Sequence, residues 1–128
     1  MNASSKPLIL CIDDDEDTLR LIELLLSNGG YNVITTDDGD KALEIAVKSK
    51  PDLILVDVMM PDVNGYDVCH RLQANNETAH IPVIFTTALG GIEYKFTALS
   101  LGAVDYIVKP IQKDVLLDKV RLHIKADI

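Results

Sequence analysis

The chain has 128 residues, a length that fits one compact domain with a single core. Its 12 lysine and arginine residues against 20 aspartate and glutamate residues leave a formal net charge of −8, which argues against nucleic acid as a direct partner. Residues 1–7 form a short polar tail, and no apolar stretch follows that is long enough for a signal peptide or a membrane span, so we expect a cytoplasmic protein with no membrane partner.

Five short apolar runs recur along the chain, each rich in valine, isoleucine or leucine. Runs of this length and composition are typical of buried strands. The predicted strands are residues 8–12, 32–36, 53–56, 83–86 and 104–108.

Amphipathic stretches with helical spacing lie between these runs, so the pattern is a strand followed by a helix, five times over. Glycines and prolines stand where helices should close and strands should begin. Apolar strands that alternate with helices predict a parallel sheet covered on both faces, with a core over about residues 8–124 of a single domain. The apolar helix positions include Leu19, Ile22, Leu26, Leu43, Ala46, Val47, Ile92, Phe96, Leu99, Leu116, Val120 and Ile124; the punctuating residues are Gly29, Gly30, Pro51, Pro82 and Gly102.

Polar side chains lie at the carboxyl ends of four of the five predicted strands. These ends meet at one edge of a parallel sheet, where ligands bind. Carboxylates gathered there raise one another's pKa unless a hard cation with oxygen ligands neutralises them, and Mg²⁺ is the natural occupant. Lys109 should project over the same edge, where its ammonium could pair with a phosphate. The residues concerned are Asp13, Asp14, Asp15, Asp57, Thr86, Thr87 and Lys109.

Structural interpretations compete with functional ones at several positions. Acidic residues at 15–17 favour the dipole of the first helix. Gly65 is expected to let a helix begin close to a strand end and has no chemical role. His70, His80 and His123 show no ligand or catalytic spacing, so surface or packing positions are expected for them.

Four motifs together resemble the receiver domain of two-component response regulators. They are IDDDED at 12–17, LVDVMMPDVNGYDV at 55–68, IPVIFTTAL at 81–89 and GAVDYIVKP at 102–110. The similarity runs from Leu8 to about Ile124, with the motifs in the expected order and at the expected separations. The resemblance implies a flavodoxin-like α/β fold in which a five-stranded parallel sheet of order 2-1-3-4-5 is flanked by five helices.

The resemblance also implies the metal site. Asp57 would be the phosphoacceptor, and Mg²⁺ would be held by Asp57, Asp14 and the backbone carbonyl of Met59. Asp13 would support the metal largely through water. Phosphoryl transfer depends on placement and on charge neutralisation, which such a site can supply.

Further roles implied by the resemblance concern the phosphoryl group and the response to it. Thr87, the Ala88 N–H and Lys109 would hold the phosphoryl oxygens. Tyr106 would turn inward behind Thr87 as a switch, with ordinary strand packing as its competing interpretation. The output face would be the fourth helix, the fifth strand and the fifth helix.

The implied partners are a histidine kinase or a histidine phosphotransfer domain, together with an unknown output partner. The domain would catalyse only its own phosphorylation and dephosphorylation. The alternative is a receiver-like module that binds partners without phosphorylation. Three other classes fit less well. A calcium-binding loop would need glycine where the chain has Thr18 and glutamate where it has Leu24, and the phosphate loop of a flavodoxin would not contain three aspartates. A phosphohydrolase of the haloacid dehalogenase type would need threonine in place of Asp17 and a longer chain.

Overall fold

The computed structural model describes residues 6–60, 64–88 and 97–124. Its centre is one sheet of five parallel strands in the order β2-β1-β3-β4-β5, which confirms the predicted fold class. The strands are β1 (Leu8–Ile12), β2 (Asn32–Thr36), β3 (Leu53–Asp57), β4 (Val83–Thr87) and β5 (Asp105–Val108).

Helices cover both faces of this sheet. They are α1 (Glu16–Asn28), α2 (Ala42–Ser49), which follows a short 3₁₀ turn at Gly39–Lys41, α3 (Gly65–Gln73), the helical residues 97–100 (α4), and α5 (Lys113–His123). Within the described residues, none of the helices combines the length and the apolar character that crossing a membrane requires.

Side chains along the central strands point alternately to the two faces of the sheet, so the core has two halves. One half packs strand residues against α1 and α5, and the other packs the alternate residues against α2, α3 and α4. Both faces are buried, which explains why the strands read as continuous apolar runs. Strand members of the first half include Ile9, Cys11, Leu53, Leu55 and Ile84, and those of the second include Leu10, Ile12, Ile54, Val56 and Phe85.

The predicted boundaries are correct to within one residue. β3 and β4 each run one residue further than predicted, to Asp57 and Thr87, and β5 begins at Asp105 instead of residue 104. The difference has a physical cause, because Asp57 pairs with Thr86 in the ladder although its side chain is polar. Among the apolar helix positions, Leu99 is 43% exposed and so is not part of the core. Ile92 and Phe96, from the same predicted stripe, lie outside the described residues.

Local sequence signals set the ends of the helices. The Asp15 side chain accepts a hydrogen bond from the Asp17 N–H and caps α1, as its acidic run predicted. Gly30 and Gly102 adopt positive φ angles of 100° and 97° after α1 and after residues 97–100. These glycines lie between a helix and the strand that follows it, whereas the polar residues gather at the opposite edge of the sheet, where the strands end.

Candidate functional site

Three carboxylates meet at this edge. Asp13 directly follows β1 and Asp57 ends β3, and the pairing of these two strands makes them neighbours. Single carboxylate oxygens of Asp13, Asp14 and Asp57 all lie within 4.8 Å of one another. Asp13 and Asp57 are buried, whereas Asp14 is exposed. The convergence predicted from the strand ends is therefore present.

Lys109 completes the cluster from the end of β5. Its Nζ lies 2.8 Å from Asp13 Oδ2 and 3.4 Å from Asp57 Oδ2. Its backbone N–H donates to the Thr87 carbonyl at 2.7 Å, which holds the residue against the end of β4. The side chain is 22% exposed, so these ion pairs are shielded from much of the solvent.

Each buried carboxylate uses one oxygen to hold its own loop. Asp13 Oδ1 accepts from the Asp15 N–H at 2.9 Å, and Asp57 Oδ1 accepts from the Met59 N–H at 3.1 Å. The second oxygen of each faces the Lys109 ammonium. Asp13 Oδ2 is buried and has no further hydrogen-bond partner among the described residues besides the Lys109 ammonium at 2.8 Å, so it can still accept from another ligand.

The environment changes the ionisation of the central groups. Burial, reinforced by the negative charge of Asp13, raises the pKa of Asp57 to about 6, although the Met59 N–H and Lys109 oppose the shift. Burial by itself lowers the pKa of Lys109, but its contacts with Asp13 and Asp57 outweigh burial and raise that pKa above its usual value. Without a metal ion, the single Lys109 ammonium therefore neutralises only part of the negative charge of the three carboxylates.

This arrangement fits a hard divalent cation. Two observations agree: three carboxylate oxygens lie close enough to share an ion, and a buried oxygen of Asp13 has an unused acceptor position. Carboxylate oxygens are the ligands that Mg²⁺ prefers, and Mg²⁺ commonly binds through one or two carboxylates while keeping water. The chemistry of the donor set therefore fits Mg²⁺.

The two predicted switch residues lie on β4 and β5, the strands that lead to the loop after Thr87 and to Lys109. Thr87 ends β4 and is buried, and Tyr106 in β5 is half-buried. Phe85 pairs with Tyr106 and Thr87 pairs with Val108, so Thr87 and Tyr106 share one face of the sheet as diagonal neighbours. Tyr106 packs at the edge of the core half that contains α2 and α3.

Met59 and Ala88, in the loops after β3 and β4, were also predicted at the site. The Met59 backbone is tied to Asp57 as described above, and its side chain is 61% exposed. Ala88 is exposed and directly follows Thr87. Both loops therefore begin beside the acidic cluster.

A second charged cluster, which the sequence did not predict, lies at the opposite end of β5 from Lys109. Asp105 Oδ1 accepts from Lys119 Nζ at 2.7 Å, and Asp105 Oδ2 lies 2.9 Å from His123 Nε2. His123 was predicted at a surface or packing position, and the structure adds that it contacts Asp105. The available signal was the spacing of Lys119 and His123, which places both on one face of α5.

Comparison with known proteins places the chain in a family. The family model described as the response regulator receiver domain matches residues 9–121. The DNA-binding dual master transcriptional regulator RpaA of Synechocystis sp. is 44% identical over 115 residues, which cover 90% of this chain and 48% of that protein. The response regulator PleD of Caulobacter vibrioides is 43% identical over 113 residues, which cover 88% of this chain and 25% of PleD.

Solved structures agree with these relatives. A putative response regulator from Chloroflexus aurantiacus superposes with a TM-score of 0.88 at 32% identity and covers 94% of this chain and 98% of its own. The chemotaxis protein CheY4 of Vibrio cholerae gives 0.87 at 27% identity, with 93% and 99% covered. This chain thus matches whole receiver domains, but it spans half or less of the curated relatives described above. It belongs to the receiver domain family of two-component response regulators, whose members act in phosphorylation-activated signalling.

Proposed function

We propose that Asp57 accepts a phosphoryl group from the phosphohistidine of a sensor kinase or of a histidine phosphotransfer domain, and that the domain is switched by this reaction. The observation that carries the proposal is the position of Asp57. It is buried at the end of β3, shares a carboxylate cluster with Asp13 and Asp14, and lies 3.4 Å from the Lys109 ammonium. A carboxylate in this setting can act as a nucleophile while a cation balances the charge of the incoming group.

In the proposed reaction a carboxylate oxygen of Asp57 attacks phosphorus as the phosphorus–nitrogen bond of the phosphohistidine breaks. The products are an acyl phosphate on Asp57 and a free imidazole on the partner. Lys109 is placed to pair with the new phosphoryl oxygens because its ammonium already faces Asp57. The Thr87 hydroxyl and the Ala88 N–H are the further donors proposed for those oxygens. Water later hydrolyses the acyl phosphate and ends the signal.

Mg²⁺ is proposed as the cofactor, held by Asp13, Asp14, Asp57 and the Met59 carbonyl. When bound, it would neutralise charge that builds up between the carboxylates and the phosphoryl oxygens. The excess negative charge that raises the pKa of Asp57 supports this role, because the site as folded needs a cation.

The response is proposed to pass through Thr87 and Tyr106 to the face formed by α4, β5 and α5. Their shared position on one face of the sheet supports this route. Phosphorylation shifts a conformational equilibrium only by its difference in affinity for the two states, so the contacts of Thr87, Lys109 and Tyr106 must differ between them.

The biological setting proposed for residues 1–128 is a single cytoplasmic domain with protein partners and no direct contact to nucleic acid. The net charge of −8 supports the last point. RpaA is named as DNA-binding, but this chain matches only 48% of that protein, so the proposal applies to the receiver portion alone.

The direct test is incubation with acetyl phosphate or phosphoramidate, with Mg²⁺ or with EDTA, followed by intact mass and peptide mapping. We expect a single labile phosphoryl adduct, dependent on Mg²⁺, in the peptide that contains Asp57. A folded protein that forms no adduct, turns over no donor and binds no beryllofluoride would reject phosphoacceptance and favour the phosphorylation-independent module.

The raised pKa of Asp57 predicts how metal affinity depends on pH. Metal binding requires the ionised carboxylate, so affinity should fall as pH drops through the pKa of about 6. Between pH 7 and pH 5 the ionised fraction of such a group falls about tenfold, and we expect Mg²⁺ affinity to fall by about that factor. Titration calorimetry at several pH values measures it. Asp57→Asn should bind Mg²⁺ more weakly and with much less pH dependence in this range, whereas a flat wild-type affinity from pH 5 to 8 would contradict the prediction.

A further inference from the structure

The charged cluster of Asp105, Lys119 and His123 ties α5 to β5. Both oxygens of Asp105 are used: Oδ1 accepts from Lys119 Nζ at 2.7 Å and from the Tyr106 N–H at 2.8 Å, and Oδ2 lies 2.9 Å from His123 Nε2. The side chains of Asp105, Lys119 and His123 are 14%, 31% and 20% exposed. These hydrogen bonds hold the pKa of Asp105 below its usual range although burial alone would raise it. A partly desolvated pair of this kind is stronger than an exposed ion pair.

The cluster lies at one end of a short strand whose other end leads into the acidic site. β5 has four residues, from Asp105 to Val108, and Lys109 follows immediately. The whole strand is paired with β4, and the pairing continues through the bond from the Lys109 N–H to the Thr87 carbonyl. Asp105 and Lys109, whose ammonium contacts Asp13 and Asp57, are therefore only four residues apart along one hydrogen-bonded strand.

Lys119 also touches the residue between the two ends. Its Nζ lies 5.6 Å from the centre of the Tyr106 ring, within cation–π distance. A cavity of about 410 Å³, lined by Tyr106, Lys109, Val115 and Lys119 among others, lies beside this part of β5. Lys119 therefore borders this open space, while the neighbouring residues Leu116 and Val120 of α5 belong to the same buried cluster as Ile107 of β5.

We propose that Lys119, through Asp105 and Tyr106, is a positioning residue that holds β5, and with it Lys109, in the arrangement seen here. The inference rests on the proposed function of Asp57. A phosphoryl group on Asp57 attracts Lys109, and any resulting shift of β5 has to strain the contacts of Asp105. The cluster therefore favours the unphosphorylated arrangement, and its removal lowers the cost of the phosphorylated one.

Affinity of the full chain for beryllofluoride, a phosphoryl mimic, at saturating Mg²⁺ tests this coupling. Lys119→Met keeps the length of the side chain and removes its charge, and we expect about fivefold tighter binding, the lower end of typical coupling between sites. Lys119→Arg keeps the charge and should restore the wild-type affinity. Arg121→Met is the matched control. Arg121 forms an ion pair with Asp118 on the same helix at 3.8 Å, and both side chains are about three-quarters exposed, so its loss should not affect β5.

Hydrogen exchange of the Lys109 amide, in protein free of phosphoryl mimic, is a second and independent readout. We expect faster exchange in Lys119→Met than in the wild type or in Arg121→Met, because the strand end is held less firmly. Unchanged exchange would overturn the proposal. Faster exchange with unchanged beryllofluoride affinity would also overturn it, since Lys119 would then have only a structural role. If wild-type protein binds no beryllofluoride, the proposed function fails separately, and the exchange comparison alone decides whether Lys119 positions β5.

Discussion

Replacing Asp57 with asparagine is expected to abolish the phosphoryl adduct and, at the same time, to stabilise the metal-free protein. Asparagine has nearly the same shape, but its amide is not a nucleophile for phosphorus, so no adduct should form from acetyl phosphate at any Mg²⁺ concentration. The gain in stability has a separate cause. Burial and the charge of Asp13 disfavour the ionised form of Asp57, and a neutral amide removes that penalty.

The sign of this stability effect depends on pH in a defined way. The pKa of Asp57 is about 6 in the folded protein and about 4 in an unfolded chain. Above pH 6 the carboxylate is ionised in both states and its penalty is fully present, so Asp57→Asn should raise the free energy of unfolding by about 1–3 kcal/mol. The gain should shrink as pH falls from 6 to 4, because the folded wild type then takes up the proton.

Urea unfolding in EDTA and in Mg²⁺ measures these effects. Mg²⁺ should stabilise the wild type by mass action and should stabilise Asp57→Asn less. In Mg²⁺ the difference in the free energy of unfolding between the two proteins should therefore become smaller or change sign. Asp52→Asn is the matched control: Asp52 precedes the same strand at its opposite end, is exposed, and accepts a bond from the Leu8 N–H at 2.7 Å that an amide oxygen can still accept. An Asp57→Asn protein that still forms the adduct would place the phosphoacceptor elsewhere.

The sheet could be predicted from the sequence because its three central strands are buried on both faces and its two edge strands are partly buried. Such strands need continuous apolar side chains, and the five apolar runs therefore fall within one residue of the observed strands. The gathering of Asp13, Asp57 and Lys109 at one edge follows from topology alone, since all three lie at carboxyl ends of parallel strands.

What could not be predicted depends on side-chain geometry across elements. The sequence assigned Lys109 to a phosphate, and only the three-dimensional structure shows that its ammonium is closer to Asp13 than to Asp57. The cluster of Asp105 with Lys119 and His123 joins residues 14 and 18 positions apart, from a strand and a helix. Local periodicity places Lys119 and His123 on one face of α5, but it does not show that this face meets Asp105.

The most damaging small substitution is expected at Gly65, the first residue of α3. In an exposed helix, alanine would stabilise this position relative to glycine by about 1 kcal/mol. Here a Cβ would overlap the backbone carbonyl oxygen of Asp57 and come within 2.8 Å of the Val58 Cα. Both are backbone atoms of the end of β3, and the Gly65 N–H also donates to the Val58 carbonyl at 3.0 Å. Neither partner can turn aside as a flexible side chain could.

We therefore expect Gly65→Ala to lower the free energy of unfolding by about 3 kcal/mol or more, against the direction of helix propensity. Gly30→Ala is an informative control, because Gly30 has a φ of 100° but nothing within 4 Å of an added Cβ. It should cost only the conformational strain, about 1 kcal/mol. The fraction of Gly65→Ala protein that still folds should also accept phosphoryl groups more slowly. To make room for the added Cβ, the backbone of Asp57 itself has to move. Equal stability of Gly65→Ala and wild type in urea unfolding would mean that α3 does not approach β3 as closely as the structure shows.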